Sequence, residues 1–126
     1  MEIVLVDDDP IVILLQKKLM QKAGISHQII SFNNGEDALS FLTVNANESK
    51  YLMFLDINMP GLSGWEVLDE LEKINIDFEL EVIIITSSIE DADRLKAKTY
   101  ERIVDFWIKP FSLQDFTNLK VKFGLK

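Results

Sequence analysis

Short apolar runs that stop at charged or chain-breaking residues alternate along this sequence with stretches whose apolar positions recur every three or four residues. Glu2 to Val6 is a β-branched run halted by Asp7-Asp8-Asp9, as a buried strand is when it reaches the edge of a sheet. Pro10 suits a first helical position, where its missing N–H is no loss, and Asp9 before it is placed to cap the exposed amides. That helix runs to about Ala23, with Gly24 as its stop. Residues 27 to 32 predict a second strand, with His27 as an edge-strand residue, and Asn33-Asn34-Gly35 a turn into a short helix through about Thr43. Tyr51 to Leu55 is wholly apolar and stops at Asp56, which predicts a buried central strand. After the breaker-rich Met59 to Gly64, apolar residues at 65, 67, 68, 71 and 74 have helical spacing. Val82 to Ile85 reads as another buried strand ending at Thr86-Ser87-Ser88. Residues 89 to 101 read as a polar helix, Phe106 to Ile108 as a last short strand ending at Lys109-Pro110, and Ser112 opens a final helix.

A strand followed by a helix, five times over, forces parallel pairing, because each crossover must return to the same end of the sheet, nearly always right-handed. The predicted class is α/β. With 126 residues, 48% of them hydrophobic, the chain has room for one packed domain over residues 1–126 and not for two. The net charge of −8 repels polyanions, so direct nucleic-acid binding is not expected. Charge is uneven: residues 36 to 93 hold 14 acids against 2 bases, whereas residues 94 to 126 hold 3 acids against 8 bases. The last third therefore faces partners as a cation. Absence of cysteine excludes disulfides, thiolate metal sites and thiol catalysis. No apolar run approaches the ~18 residues of a membrane span, and the reading is a soluble, cytoplasmic domain without membrane contact.

In an open parallel sheet, residues just past the carboxyl ends of the strands meet in one crevice although they lie far apart in sequence. Here they are Asp7, Asp8, Asp56, Thr86 and Lys109. Two carboxylates about 4 Å apart repel by ~4 kcal/mol at an effective dielectric of 20, so three of them call for a compensating cation. Oxygen-only donors favour Mg²⁺, or Mn²⁺, over zinc. A carboxylate nucleophile, a metal, a hydroxyl and an ammonium together suit the receipt of a phosphoryl group, whose oxygens need cationic and hydrogen-bonding partners. Taken singly, each residue has a plainer use: the aspartates as a solvated turn, Thr86 as a helix cap, Lys109 as a surface lysine.

The segments LVDDDP, LDINMP, IIITSS and WIKPF, in this order and spacing, resemble the receiver domain of two-component response regulators, and the resemblance covers the whole chain. It implies a flavodoxin-like, doubly wound, five-stranded parallel sheet of order 2-1-3-4-5 with five helices. It implies that Asp56 is the phosphoacceptor, taking a phosphoryl group from a phosphohistidine on a histidine kinase or histidine phosphotransfer protein. Asp8, Asp56 and the backbone carbonyl of Asn58 match metal ligands, and Asp7 one that acts through a bound water. Lys109 matches the lysine that pairs with the phosphoryl group, Thr86 and Phe106 the switch hydroxyl and switch aromatic, and Pro110 a proline often preceded by a cis bond. Asn58 and Ser88 match positions that tune dephosphorylation. The implied role is a signalling switch, monomeric, that catalyses only its own phosphorylation and dephosphorylation and passes the signal to a downstream protein through the fourth helix, fifth strand and fifth helix.

Ser63 stands where the family often has Asp. Phe106 lacks a tyrosine hydroxyl, which leaves packing alone to hold an inward rotamer. Ile103 and Val104 replace smaller residues. On the first helix, Leu14 and Ile11 are expected at the surface as docking residues for the phosphoryl donor, with Val12, Leu15, Leu19 and Met20 inward. Arg94, Lys96, Lys98 and Arg102 are read as a basic face of the fourth helix suited to an acidic partner. A receiver cut from a longer regulator reads equally well. A haloacid-dehalogenase-like phosphatase would need an acid at position 58, where Asn stands, and in a flavodoxin three aspartates in the first loop would repel the flavin phosphate.

Overall fold

The computed structural model describes residues 1–87 and 90–126, so Ser88 lies outside the described residues. In chain order the elements are β1 (Glu2–Val6), α1 (Pro10–Lys22), β2 (Ile29–Phe32), α2 (Gly35–Ser40), β3 (Lys50–Asp56), α3 (Gly64–Glu72), β4 (Glu79–Thr86), α4 (Asp91–Ala97), β5 (Ile103–Ile108) and α5 (Leu113–Lys122). The strands form one five-stranded sheet of order β2-β1-β3-β4-β5, every neighbouring pair parallel. The parallel pairing is what the alternation of elements predicts, and the doubly wound order is the one the family resemblance implies.

Alternate residues of the central strands supply two separate cores, as a period of two requires. Val4, Val6, Met53, Leu55, Val82 and Ile84 pack with Ala38 of α2 and Val67, Leu68 and Leu71 of α3. Ile3, Leu5, Leu52, Phe54, Ile83 and Ile85 pack on the other face with Met20 of α1 and Phe116 and Leu119 of α5. There Trp107 lies edge-on to both Phe54 and Phe116, at 5.4 and 5.2 Å between ring centroids, contacts worth ~0.5–1.5 kcal/mol each beyond burial. These rings seat α5 against the sheet. No helix among the described residues is long and apolar enough to cross a membrane.

The helix ends follow their predicted chemistry. Asp9 Oδ1 accepts the Ile11 N–H at 2.9 Å, Ser63 and Ser112 each form a full capping box, and Gly24 turns the chain out of α1 with φ +79°. The Lys109–Pro110 bond is cis.

Several boundaries differ from the sequence reading. Residues 27 and 28 are outside β2. His27 instead takes the Lys126 N–H on Nε2 and lies 3.3 Å from the Met1 carbonyl through Nδ1, so its polar atoms are used by the chain ends. α2 stops at Ser40 and continues as a π-helical turn, Phe41–Asn45, rather than as α-helix to Thr43. β4 and β5 both begin three residues earlier than their apolar runs. On α1, Leu15 is 39% exposed rather than inward, while Gln16 is fully buried. A 13-residue helix over a flat sheet covers a narrower stripe than the apolar residues of α1 would fill. The fourth helix is short: Arg94 and Lys96 lie on it, but Lys98 is its C-cap and Arg102 lies in the turn before β5.

Candidate functional site

Four strands deliver carboxylate, hydroxyl or ammonium groups to one end of the sheet. β1 ends at Val6, so Asp7 and Asp8 emerge there; Asp56 is the last residue of β3, and Thr86 the last of β4, paired in register with Ile108. Lys109 follows β5 and its N–H reaches the Thr86 carbonyl at 2.8 Å. All the residues that the sequence places in the crevice therefore converge there.

The Lys109 ammonium sits 2.7 Å from Asp7 Oδ2 and 3.5 Å from Asp56 Oδ2. Asp7 is fully buried and its Oδ1 accepts the Asp9 N–H at 2.9 Å; Asp56, 3% exposed, accepts the Asn58 N–H on Oδ1 at 3.1 Å. Asn58 Nδ2 lies 3.4 Å from Thr86 Oγ1, which links the loop after β3 to the end of β4. Carboxylate oxygens of Asp7, Asp8 and Asp56 all lie within 4.8 Å of one another. Three carboxylates face one ammonium, so the site keeps an excess of negative charge, and its donors are all hard oxygens. A divalent cation of the Mg²⁺ class fits both facts.

Electrostatics mark Asp56 as unusual. Burial, abetted by the charges of Asp7 and Asp8 and opposed by the Asn58 N–H and Lys109, pushes its carboxyl up from 3.8 to about 6. Burial pulls the Lys109 ammonium down, but the hydrogen bond to Asp7 and the charges of Asp56 and Asp7 outweigh it, and the net shift is upward. The lysine is held charged, and the acid ionises at a cost that a cation would offset.

Phe106 is half-buried against the core formed with α2 and α3, with the Arg94 guanidinium 5.1 Å from its ring centroid. In this pose a cation over the ring face adds ~0.5–1 kcal/mol to its packing. Ile103 and Val104 are accommodated by a bulge, since Val82 pairs with Ile103 but Ile83 with Asp105. Val104 is the extra residue, which puts Ile103 and Phe106 on one face and Val104 and Trp107 on the other. Leu14 and Ile11 lie on α1 as expected, 53% and 73% exposed.

Sequence reasoning missed Gly64. A Cβ there would sit 2.5 Å from the Asp56 carbonyl and 2.8 Å from Ile57 Cα, both backbone, so only glycine lets α3 start against the end of β3. Its place directly after the Ser63 cap was the available signal. Gly64→Ala is expected to displace the backbone of Asp56, lowering stability by about 2 kcal/mol and slowing any chemistry at Asp56; denaturant unfolding and modification rates check both, and unchanged values would show that the backbone yields freely.

The family model for the response regulator receiver domain matches residues 3–119. The chain is 29% identical over 108 residues to Protein PilH of Pseudomonas aeruginosa, covering 86% of this chain and 84% of that one. It is 28% identical over 126 residues to hybrid signal transduction histidine kinase L of Dictyostelium discoideum, where it spans 98% of its own length but 7% of the relative's. Among solved structures, response regulator protein TrrA of Thermotoga maritima, determined in complex with Mg²⁺-BeF, is 31% identical with TM-score 0.71, covering 98% of each chain.

Proposed function

The chain belongs to the response regulator receiver domain family, and from that membership together with the geometry above we propose that Asp56 is its phosphoacceptor. The single observation that carries the reading is the buried, cation-seeking Asp56 carboxylate 3.5 Å from the Lys109 ammonium and beside Asp7 and Asp8. A carboxylate oxygen of Asp56 attacks the phosphorus of a phosphohistidine. An O–P bond forms, the P–N bond breaks, and its electron pair returns to the imidazole, which takes up a proton, leaving an acyl phosphate on Asp56. Lys109, already oriented by Asp7, pairs with a phosphoryl oxygen, and the Thr86 hydroxyl donates to another. A Mg²⁺ or Mn²⁺ ion held by Asp8, Asp56 and the Asn58 carbonyl, with Asp7 acting through water, would neutralise charge on the phosphoryl oxygens.

Receiver domains are signalling domains that work with histidine kinases and downstream effectors. For this chain we assign the switch to Thr86 and Phe106. Drawing Thr86 toward the phosphoryl group favours the state with Phe106 inward and remodels α4, β5 and α5, the surface read by a downstream protein. A phosphohistidine donor docks on α1 through Leu14 and Ile11. Leu14→Asp is expected to slow transfer from a phosphorylated donor about tenfold with the melting temperature unchanged, because the side chain is largely exposed. Equal transfer rates would move the docking site elsewhere.

The decisive test is incubation with acetyl phosphate and Mg²⁺ followed by intact-mass measurement. One phosphoryl adduct is expected, lost when the ion is chelated with EDTA. An adduct that forms equally well in EDTA, or none with any small donor or divalent ion, would overturn the assignment.

A further inference from the structure

α2 and α3, which lie side by side on one face of the sheet, leave a groove of about 380 Å³ between them, lined by no residue of α1, α4, β5 or α5. Glu36, Leu39, Ser40 and Thr43 line one wall and Glu70 and Ile74 the other, with Leu62 between them. On each wall the spacing is that of a single helix face, and the α2 wall runs for about 10 Å, two turns of helix. Ile74 is 39% exposed, and Val44, on the π-helical turn that prolongs this wall, is 75% exposed. Within the groove, Ile74 is the most exposed apolar side chain, with Leu39 and Leu62 half-buried against the core.

Acidic groups outnumber basic ones around this trough. α2 and α3 together carry Glu36, Asp37, Glu66, Asp69, Glu70 and Glu72 and not one Lys, Arg or His. Lys73, just past α3, bridges Glu70 Oε1 at 3.0 Å on the open surface, and Glu36 Oε1 accepts the Leu62 N–H at 2.9 Å. Glu36, in the first turn of α2, and Glu70, in the last turn of α3, put a carboxylate toward each end of the groove, and both helices run away from the Asp56 edge. These charges lie within a Debye length of any occupant, so they select its sign.

We propose that this groove docks an amphipathic helix of a partner protein, its apolar ridge laid between Leu39, Leu62 and Ile74 and its flanking lysines or arginines paired with Glu36 and Glu70. The inference goes beyond the phosphoacceptor reading and does not depend on it. The partner would approach a face that neither the donor nor the α4 to α5 output surface uses, so the three could be engaged together.

The probe is a designed amphipathic peptide of about 18 residues with a leucine ridge and lysine flanks, long enough to hold a helix. A partner peptide with glutamate flanks serves as its control. Titration into isotope-labelled protein is expected to shift amide resonances of residues 36–43 and 70–74 first, with binding lost for the glutamate peptide. Glu70→Lys and Ile74→Asp should each weaken the lysine peptide about tenfold. Glu101→Lys, which removes a carboxylate from a different groove, should leave affinity unchanged. Shifts centred elsewhere, or equal weakening by all three variants, would overturn the proposal as mere charge attraction. Dimerisation of the protein alone that Glu70→Lys abolishes would overturn it in favour of a second copy of this chain. Glu70→Lys should still take phosphate from acetyl phosphate, so the two readings fail separately.

Discussion

The Asp56→Asn variant is expected to take up no phosphoryl group and, above pH 6, to melt at a higher temperature than the parent. Both effects follow from one fact, that ionising Asp56 works against its surroundings. Its carboxyl titrates at about 6 in the folded protein against 3.8 when unperturbed, so at neutral pH the fold bears the cost of a charge that the unfolded chain carries freely. Two pK units correspond to a ceiling of ~3 kcal/mol, and about 2 kcal/mol is a fair expectation after local relaxation. For a domain of this size that is roughly 6–10 °C. The sign fixes the pH window. Below pH 3.8 the group is protonated in both states and costs nothing. The penalty grows as pH rises through the interval to 6 and is complete above it. Variant and parent should therefore converge as pH falls from 6 to 4, and melting curves across that range check it. Mg²⁺ should raise the parent's melting temperature at pH 7 and move the variant's far less. A gap that is constant with pH would show that Asp56 is not strained by its charge.

Lys109→Met should act in the opposite direction on stability. Asp7 is fully buried with the ammonium 2.7 Å away, and Asp56 shares the same cation. Taking one partner out of a buried ion pair costs ~3–5 kcal/mol, because the remaining charge has neither water nor counter-ion. Two carboxylates are left here, so the upper part of that range is expected at neutral pH. Urea unfolding should recover much of the loss when Mg²⁺ is added or when Asp7→Asn is combined with Lys109→Met. Phosphoryl uptake should fall by two or more orders of magnitude, since a cation aimed at the transferred oxygens is lost. If the variant were as stable as the parent, the pairing with Asp7 would have to be replaced by some other cation in solution.

Much of this was legible in the residues because buried parallel strands write themselves as unbroken apolar runs with an abrupt polar stop. Val6 to Asp7, Leu55 to Asp56 and Ile85 to Thr86 are such stops, and the crevice geometry then follows from topology alone. What escaped depends on contacts across the chain. The first half of β5 is hidden in the sequence because the bulge at Val104 breaks the two-residue alternation that would reveal it. Leu15 lies outward and not inward because the apolar arc of α1 is wider than the face it buries. Arg94 over Phe106 and Lys96 over Trp65 join residues 12 and 31 apart, pairs that no local pattern announces.

Those last two contacts bear on α4 itself. It has seven residues, of which Ala97 alone is buried, and a helix that short has no intrinsic persistence in water. Its winding is lent to it by two rings belonging to other elements, one on β5 and one on α3. A change of pose in either ring would remove one of these two supports and be felt first as fraying of this segment.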